Sequence, residues 1–300
     1  ARTESRDLDG PRSLRVEPDV GISAWIDCAG HLPWGLSGDQ REDDARSLTW
    51  DSPPPAAPVV GQPRVRLRLS ADAPAASLSV KLCDVFPDGT SALVARGTLD
   101  LAFRSGSTPS PLTPGEEFEV DLLLDACAYQ WSPGQRLRIS VAGADWPNTI
   151  APPAPVTLTV HGGALELPLW PEDAGAAPSF VPGAASSSEN PDDVVWSVTR
   201  DVLRRTTSCA VRSGSSYDIP HGGTAGEEYL GEVGVDRRTF VQWATATTTF
   251  TLGWPGIEVR VTSTIRVDVG VQGYEVAIDC DAFEGEELIS HREWRESIPR

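Results

Sequence analysis

Apolar and polar residues alternate along most of this chain, and this alternation is the feature that most constrains its fold. Residues 64–69, Arg-Val-Arg-Leu-Arg-Leu, place three arginines on one side and three aliphatic residues on the other. Because successive side chains of a β-strand point to opposite faces, a period of two is typical of half-buried strands. The same alternation recurs at 78–82, 99–103, 118–124, 137–141 and 156–160. The pattern predicts an all-β fold with an antiparallel jelly-roll or β-sandwich domain.

Turn-forming sequences separate the predicted strands, and one longer stretch divides the chain. Pro-Asp-Gly at 87–89 and Pro-Gly at 133–134 are typical of tight turns. The chain has 27 glycines and 26 prolines, which argues against a helical protein. Residues 171–193 are rich in Pro, Ala, Ser and acidic residues and predict a linker. Alternation returns beyond it, so residues 194–300 predict a second antiparallel β domain.

Charge and hydropathy argue against two classes of partner. The formal net charge is −18, and Lys81 is the only lysine, so the basic face that nucleic acid requires is missing. No run of about 18 apolar residues predicts a membrane span. The sequence contains no methionine and starts at Ala1 within polar sequence. We therefore expect the C-terminal part of a longer protein, or a processed product.

The cysteines, histidines and serines form no recognisable metal, cofactor or nucleophile motif. The five cysteines are odd in number and form no C-x-x-C pair, which predicts reduced, mostly buried thiols in a cytoplasmic protein. His161 and His221 each begin an H-G-G sequence that is typical of a turn. The G-x-S-x-G sequence of a nucleophile elbow is absent. We predict no catalytic residue, no metal and no cofactor in this chain.

Several motifs resemble those of one known family, and they occur in the family's order. Residues 34–41, Trp-Gly-Leu-Ser-Gly-Asp-Gln-Arg, are similar to its D-Q-R segment, with Arg46 as the downstream arginine. Residues 80–89 are similar to its K-L-x-D-V-x-P-D-G hairpin. Residues 133–139 resemble its P-G-H-R-L-R strand, with Gln135 in place of the usual histidine, and Asp-Trp-Pro-Asn at 145–148 follows. Over roughly residues 30–170, the chain resembles the C-terminal region of the CocE/NonD serine hydrolases, which include Xaa-Pro dipeptidyl-peptidases and cocaine esterase.

The resemblance implies an accessory portion of a serine hydrolase. In this family the Ser-Asp-His triad lies on an α/β domain that precedes the jelly roll, so no catalytic residue carries over to this chain. We expect a bridging segment at 1–45, the jelly roll at 46–170, the linker at 171–193 and an all-β extension at 194–300. The implied partner is an α/β-hydrolase domain of the same or a split protein, whose substrate cleft this chain would complete.

Other interpretations remain open alongside the resemblance. A homodimer is the second partner that we consider. The alternative function is that of a free-standing β-sandwich that binds carbohydrate or another ligand. An α/β domain encoded next to this chain would favour the hydrolase interpretation over the free-standing one.

Two sets of residues follow as candidates. The first set would stabilise the bridging segment and the turns: Asp39, Gln40, Arg41, Arg46, Asp84, Asp88, Gly89 and Gly134. Within it, Asp39 is expected to pair with Arg41 or Arg46, and Asp84 to bond the amides of the following turn. The second set would expose an apolar docking surface at the rim of the cleft: Trp25, Trp34, Trp50 and Trp146.

Overall fold

The chain is built almost wholly of antiparallel strands, as the alternation predicts. In a computed structural model, residues 2–23, 37–170 and 194–300 are described, and they form eighteen strands in three sheets. Helix is confined there to α1 (Arg41–Asp44) and a 3₁₀ turn (Leu101–Phe103). Neither has the length and apolar composition of a membrane span.

The chain divides into two compact units. Among the described residues, unit 1 comprises residues 2–23 and 37–170, and unit 2 comprises residues 194–300. The predicted linker at 171–193 lies outside the described residues, and the other predicted boundaries stay predictions.

Unit 1 contains a seven-stranded sheet centred on one long strand. Its strands are β1 (Arg2–Leu8), β2 (Arg12–Arg15), β4 (Val59–Gly61), β5 (Arg64–Ala71), β8 (Phe118–Leu123), β9 (Cys127–Tyr129) and β11 (Thr157–Leu169). The order is β8-β5-β11-β4-β9, and β1 and β2 also pair with β11. Residues 2–8 and 12–15 of the predicted bridging segment are therefore strands of this sheet.

The second sheet of unit 1 has four strands and completes a sandwich. Its strands are β3 (Leu48–Ser52), β6 (Ser77–Val85), β7 (Ser91–Asp100) and β10 (Arg136–Ala142), in the order β3-β10-β6-β7. A Cβ atom added to Gly97 of β7 would meet Leu122 and Leu124 across the sandwich. The core therefore lies between the two sheets.

The strand register agrees with the alternation, but solvent exposure does not follow from it at every position. The alternation predicts that Leu67, Val80, Leu122 and Ile139 point inward and that Arg66, Arg68 and Arg138 point outward. Leu67, Val80 and Ile139 are buried, whereas Leu122 faces the other sheet but is half-buried because β8 is an edge strand. Arg66 and Arg68 are exposed. Arg138 lies on the outer face but is largely covered, because acidic residues pack around it.

Unit 2 is one open antiparallel sheet. Its strands are β12 (Val195–Asp201), β13 (Thr206–Ile219), β14 (Gly223–Asp236), β15 (Gln242–Trp254), β16 (Ile257–Val269), β17 (Gly273–Glu284) and β18 (Glu287–Pro299). They pair in chain order, so that β12 and β18 form the two edges. The apolar alternation runs straight through Ser263, and β16 is accordingly a single long strand.

Candidate functional site

Charged side chains are buried on the outer face of the four-stranded sheet. Lys81 alternates with Val80 and Leu82 on β6, so it points away from the core. It is nevertheless only 3% exposed. Lysine is rarely buried unless it is paired. Burial on this face therefore requires partners from segments that cover the sheet.

Acidic residues from α1 and from the loop after β10 supply these partners. The Lys81 ammonium donates hydrogen bonds to Asp43 Oδ2 at 3.0 Å and to Gln40 Oε1 at 3.2 Å. It also lies 3.8 Å from Asp145 Oδ1. Both carboxylates are almost fully buried. An ion buried without a partner costs several kcal/mol, so these three charges depend on each other.

Two arginines extend this centre. Arg46 lies 2.9 Å from Asp19 Oδ1 and 3.1 Å from Asp43 Oδ1, whereas Arg96 lies 3.4 Å from Asp145 Oδ2. We call the following residues the buried ionic cluster: Asp19, Gln40, Asp43, Arg46, Lys81, Arg96 and Asp145. Its three cations face three carboxylates, so the buried charge is balanced.

Burial raises the pKa of Asp145 above its ordinary value of 3.8, although Lys81, Arg96 and Asn148 oppose this shift. Asp145 Oδ1 has no hydrogen-bond partner. Both oxygens of Asp43, in contrast, accept hydrogen bonds, from Arg46 at Oδ1 and from Lys81 and the Ser23 amide at Oδ2. This arrangement holds loops in place, and it includes no hydroxyl or thiol nucleophile.

The buried ionic cluster holds two backbone segments together, one before residue 24 and one after residue 36. The Ser23 amide donates to Asp43 Oδ2 at 3.3 Å, and Gln40 Nε2 donates to the carbonyl of Ser23 at 2.6 Å. The same Gln40 nitrogen donates to the carbonyl of Gly38 at 2.7 Å. Backbone from before residue 24 and after residue 36 is therefore held together against the sheet.

A glycine is required where this backbone meets the loop of Asp145. Gly21 has φ +125°, and a Cβ atom there would lie 2.5 Å from the backbone carbon of Asp145. The Trp146 amide donates to the carbonyl of Val20 at 2.8 Å, which ties the two loops together. Only a residue without a side chain fits this close approach.

A second ion-pair group adjoins the cluster. Arg138 donates to both oxygens of Asp51 at 2.6 and 2.8 Å and to Asp44 Oδ2 at 3.0 Å. The hydrogen bond from Arg138 holds the pKa of Asp51 below its ordinary value of 3.8. Asp44 belongs to α1 and Asp51 to β3, so this arginine joins the helix to the sheet.

Asp51→Asn should lower the free energy of unfolding at pH 7 by about 1–2 kcal/mol, the lower part of the range for charged hydrogen bonds because the pair is partly exposed. Since the folded-state pKa is depressed, this contribution is present above pH 3.8 and is lost as the pH falls through the folded-state pKa. Urea unfolding of both proteins across this range measures it. Asp121→Asn, in the more exposed pairs with Arg64 and Arg66, is the control and should cost less. A loss that is independent of pH would contradict the assignment.

The motif residues predicted from the sequence mostly occupy this region. Asp39 accepts hydrogen bonds from the Ser91 amide at 3.0 Å and from Arg41 Nε at 2.6 Å. Of the two arginines considered for it, Arg41 is the partner, because Arg46 is directed into the buried ionic cluster. Asp88 accepts from the Thr90 amide at 2.9 Å. The turn glycines Gly89 and Gly134 have φ values of +88° and +89°, which favour glycine.

Asp84 differs from its expected arrangement. Its Oδ2 atom accepts from the Tyr129 hydroxyl at 2.8 Å, and no turn amide bonds it among the described contacts. The reason is its position on β6, where it shares the inward face with Leu82. Burial raises the pKa of Asp84, and the Tyr129 hydrogen bond opposes that shift.

The tryptophans do not form the expected rim within the described residues. Trp25 and Trp34 lie outside them. Trp50 and Trp146 are only 8% and 3% exposed, so the expectation that they are exposed is corrected. Trp50 donates from Nε1 to the carbonyl of Asp9 at 3.0 Å, and its ring lies under the Arg12 guanidinium. Both tryptophans contribute to unit 1 rather than to a free surface of it.

Sequence reasoning missed Lys81, Asp43 and Asp145 as a group, although one signal was present. In β6 the residues on both faces are buried, including Ser79, Lys81 and Cys83 on the outer side. A single lysine within such an apolar run indicates a covered strand. Its acidic partners are distant in sequence, so no local pattern identifies them.

One further group could hold a cation by geometry. Ligand atoms of Asp279, His291 and Glu293 lie within 4.8 Å of one another on β17 and β18. They already form ion pairs, however, since Arg295 lies 3.0 Å from Asp279 and His291 lies 2.6 Å from Asp281. The group is an exposed ion-pair ladder on the polar face of the unit 2 sheet.

Comparison with known proteins identifies the family. Residues 5–185 match the family described as the X-Pro dipeptidyl-peptidase C-terminal non-catalytic domain. This match covers more than half of the chain and includes the buried ionic cluster. The chain therefore belongs to this family of C-terminal β domains, as its motifs suggested.

Curated relatives and a solved structure are similar to parts of this chain. The Mycobacterium bovis protein named "Putative serine esterase Mb1866c" is 30% identical over 186 residues, which cover 53% of this chain and 28% of that protein. Cocaine esterase of a Rhodococcus species is 30% identical over 91 residues, which cover 30% of this chain and 16% of that protein. An aminopeptidase structure from a marine sediment Thaumarchaeota archaeon is 20% identical with a TM-score of 0.48, covering 55% of this chain and 36% of that one. The chain thus spans less than a third of the length of these curated relatives.

Proposed function

We propose that this chain is the C-terminal, non-catalytic β portion of a CocE/NonD-type serine hydrolase of the ester, amide or Xaa-Pro dipeptidyl-peptidase class. It would pack on an α/β-hydrolase domain outside this sequence and shape one side of the substrate cleft. The family match over residues 5–185 carries the proposal. The names of the relatives, a serine esterase and a cocaine esterase, support the hydrolase class.

The buried ionic cluster supports the proposal that this chain forms a rigid side of the substrate cleft. Acyl transfer depends on reacting groups held within hydrogen-bond reach, and a small misplacement lowers the rate strongly. Paired buried charges fix residues 16–23 and 37–47 on the four-stranded sheet more firmly than solvated loops would be fixed. Such a surface excludes water and positions an acyl group, whereas the nucleophile must come from the α/β domain.

The purified chain should show no turnover of p-nitrophenyl esters or Xaa-Pro anilides, because it has no nucleophile elbow. A fluorophosphonate probe should leave its serines unlabelled. A complete relative such as cocaine esterase serves as the positive control for both assays. Stoichiometric labelling of a serine in this chain would contradict the proposal that this chain is non-catalytic.

Docking is tested by adding the α/β-hydrolase domain that is encoded with this chain. Calorimetry should detect a complex, and hydrolysis by that domain should rise when this chain is present. Trp34→Ala should weaken the complex, and Trp170→Ala, at an exposed tryptophan outside the predicted rim, is the control. If the two chains do not bind and hydrolysis does not change, the free-standing interpretation is favoured.

The proposal includes a cytoplasmic location, which is supported by the cysteines. Cys83, Cys127, Cys209 and Cys280 are free thiols. Burial raises the pKa of Cys83 to about 12 and that of Cys209 to about 11, so these thiols are inert.

A further inference from the structure

The unit 2 sheet has one short edge strand and one long edge strand. β12 has seven residues and covers only part of its neighbour, whereas β18 has 13 residues, all of which are exposed. β18 lies at the end of the strand order, so its outer edge has no partner strand among the described residues. A long edge strand presents a row of unpaired amides and carbonyls, which is a template for pairing with another strand.

The register of the last hairpin determines which main-chain groups point to this free edge. The Arg300 amide donates to the carbonyl of Gln272, next to the pairing of Pro299 with Gly273. Hydrogen-bonded and non-hydrogen-bonded pairs alternate along an antiparallel ladder. From residue 290 to residue 300, the even-numbered residues therefore bond to β17, and the odd-numbered residues direct their amides and carbonyls outward. Pro299, which has no amide proton to donate, accordingly occupies an outward position.

The charges of β18 are repeated with opposite sign on the two sides of Trp294. Residues 292–296 read Arg-Glu-Trp-Arg-Glu, so each arginine has a glutamate at the same distance beyond the tryptophan. Two antiparallel copies of this stretch, paired about Trp294, place Arg292 opposite Glu296 and Glu293 opposite Arg295. Each contact then occurs twice because of the twofold symmetry. Opposite charges directly across from each other stabilise a strand pair, whereas like charges destabilise it.

The two outer charges of this stretch are unpaired among the described residues. Arg292 and Glu296 lie on the same face of β18 as Trp294, because alternate residues of a strand share a face. Neither forms an ion pair or a side-chain hydrogen bond with a described residue. They cannot pair with each other, because four residues of an extended strand separate them by about 13 Å. A second copy of the strand supplies the missing partner for each of them.

One register alone combines the outward main-chain groups with these charges. Odd-numbered residues must lie opposite odd-numbered residues, so the twofold axis falls at a residue and moves by one residue between allowed registers. An axis at residue 292, 293, 295 or 296 would oppose two identical charges. An axis at Trp294 avoids every like-charge pair in this stretch. It also makes the two tryptophans a non-hydrogen-bonded pair, in which side chains lie closest and aromatic residues stabilise the pairing.

We propose that β18 pairs antiparallel with β18 of a second copy of this chain about a twofold axis at Trp294, so that the two seven-stranded sheets join edge to edge into one. The odd-numbered residues from 291 to 297 then form about eight main-chain hydrogen bonds across the axis. Corresponding faces of the two sheets lie on the same side, because directly opposite residues of paired strands share a face. The pairing uses only unit 2 and does not depend on the proposed hydrolase role of unit 1.

Oxidative cross-linking tests the position of the axis, because only the residue on the axis meets its own copy. Trp294→Cys should form a disulfide between two chains, since Cβ atoms of directly opposite residues lie about 4.5–5.5 Å apart, close to the separation that a disulfide requires. Arg292→Cys is the matched control, because it lies on the same face but opposite Glu296 of the other copy, and it should not cross-link. The wild type controls for the five native cysteines. Non-reducing gel electrophoresis measures the product.

Analytical ultracentrifugation of the full chain tests the pairing itself and should give twice the chain mass of 32.1 kDa. Glu296→Arg places an arginine opposite Arg292 twice in each dimer and should weaken the dimer roughly tenfold. The double variant with Arg292→Glu restores opposite charges and should recover the dimer. Glu286→Arg, in the turn before β18, makes the same charge change outside the paired stretch and should leave the dimer intact. Far-UV circular dichroism and a thermal melt establish that all variants are folded.

Three results would contradict the proposal. A wild-type chain that stays monomeric at high micromolar concentration would overturn it. Equal dissociation of the Glu296→Arg and Glu286→Arg variants would overturn it as well. If the double charge variant dissociates more than Glu296→Arg alone, or if Arg292→Cys cross-links as readily as Trp294→Cys, the proposed register is wrong.

Discussion

Lys81→Met should lower the free energy of unfolding by about 3–5 kcal/mol, the usual cost of removing one partner from a buried ion pair. Methionine fills a similar volume but leaves Asp43 and Asp145 without the ammonium that now lies 3.0 and 3.8 Å from them. Urea unfolding at pH 7, followed by circular dichroism and tryptophan fluorescence, measures the loss. Arg66→Met, at an exposed arginine on the other sheet, should cost less than about 1 kcal/mol.

A double variant measures the interaction energy between Lys81 and Asp145 directly. The double variant Lys81→Met with Asp145→Asn should lose less than the sum of the two single variants, because the neutral amide removes the charge that the lysine compensated. The pKa of Asp145 is already raised by burial, and loss of Lys81 raises it further. A carboxyl with a raised folded-state pKa contributes stability at low pH and loses it as the pH rises. The deficit of Lys81→Met should therefore shrink as the pH falls toward 3.8, and strict additivity at all pH values would contradict the pairing.

Ile139→Ala should cost about 2–5 kcal/mol, the range for deleting a large side chain from a packed core. Ile139 is fully buried on β10, between Trp50 of β3 and Leu82 of β6. Arg68→Ala, at an exposed position of β5, should cost less than about 0.5 kcal/mol. Urea unfolding of the two variants compares them directly. Similar losses would mean that the strand register is displaced by one residue.

The Lys81 and Ile139 variants compare the two kinds of interaction that stabilise the four-stranded sheet of unit 1. The inner face of the four-stranded sheet is stabilised by apolar packing, so the cost of truncating a side chain depends on the size of the cavity that it leaves. The outer face is held by charges whose stability depends on their mutual compensation.

Alternation in the sequence was sufficient to predict the all-β class, the strands β5, β6, β8, β10 and β11 and the inward positions of Leu67 and Ile139. It did not predict β1 and β2, and the strand expected at 99–103 ends at Asp100, where a 3₁₀ turn follows. A strand has only two faces, so the parity of a residue determines which face it occupies. The D-Q-R segment and the Pro-Asp-Gly and Pro-Gly turns were sufficient to suggest the family, because their order and spacing are visible in the chain itself.

Tertiary structure alone decided what covers each face. Parity places Lys81 outside the core, but only the fold brings Asp43 and Asp145 over it, from 38 and 64 residues away in the chain. The same reason explains why Trp50 and Trp146 are buried rather than exposed, and why the apolar alternation of unit 2 ends in an open sheet instead of a closed sandwich. Alternation encodes the direction of a side chain, whereas burial depends on which distant segment, or which second molecule, packs against it.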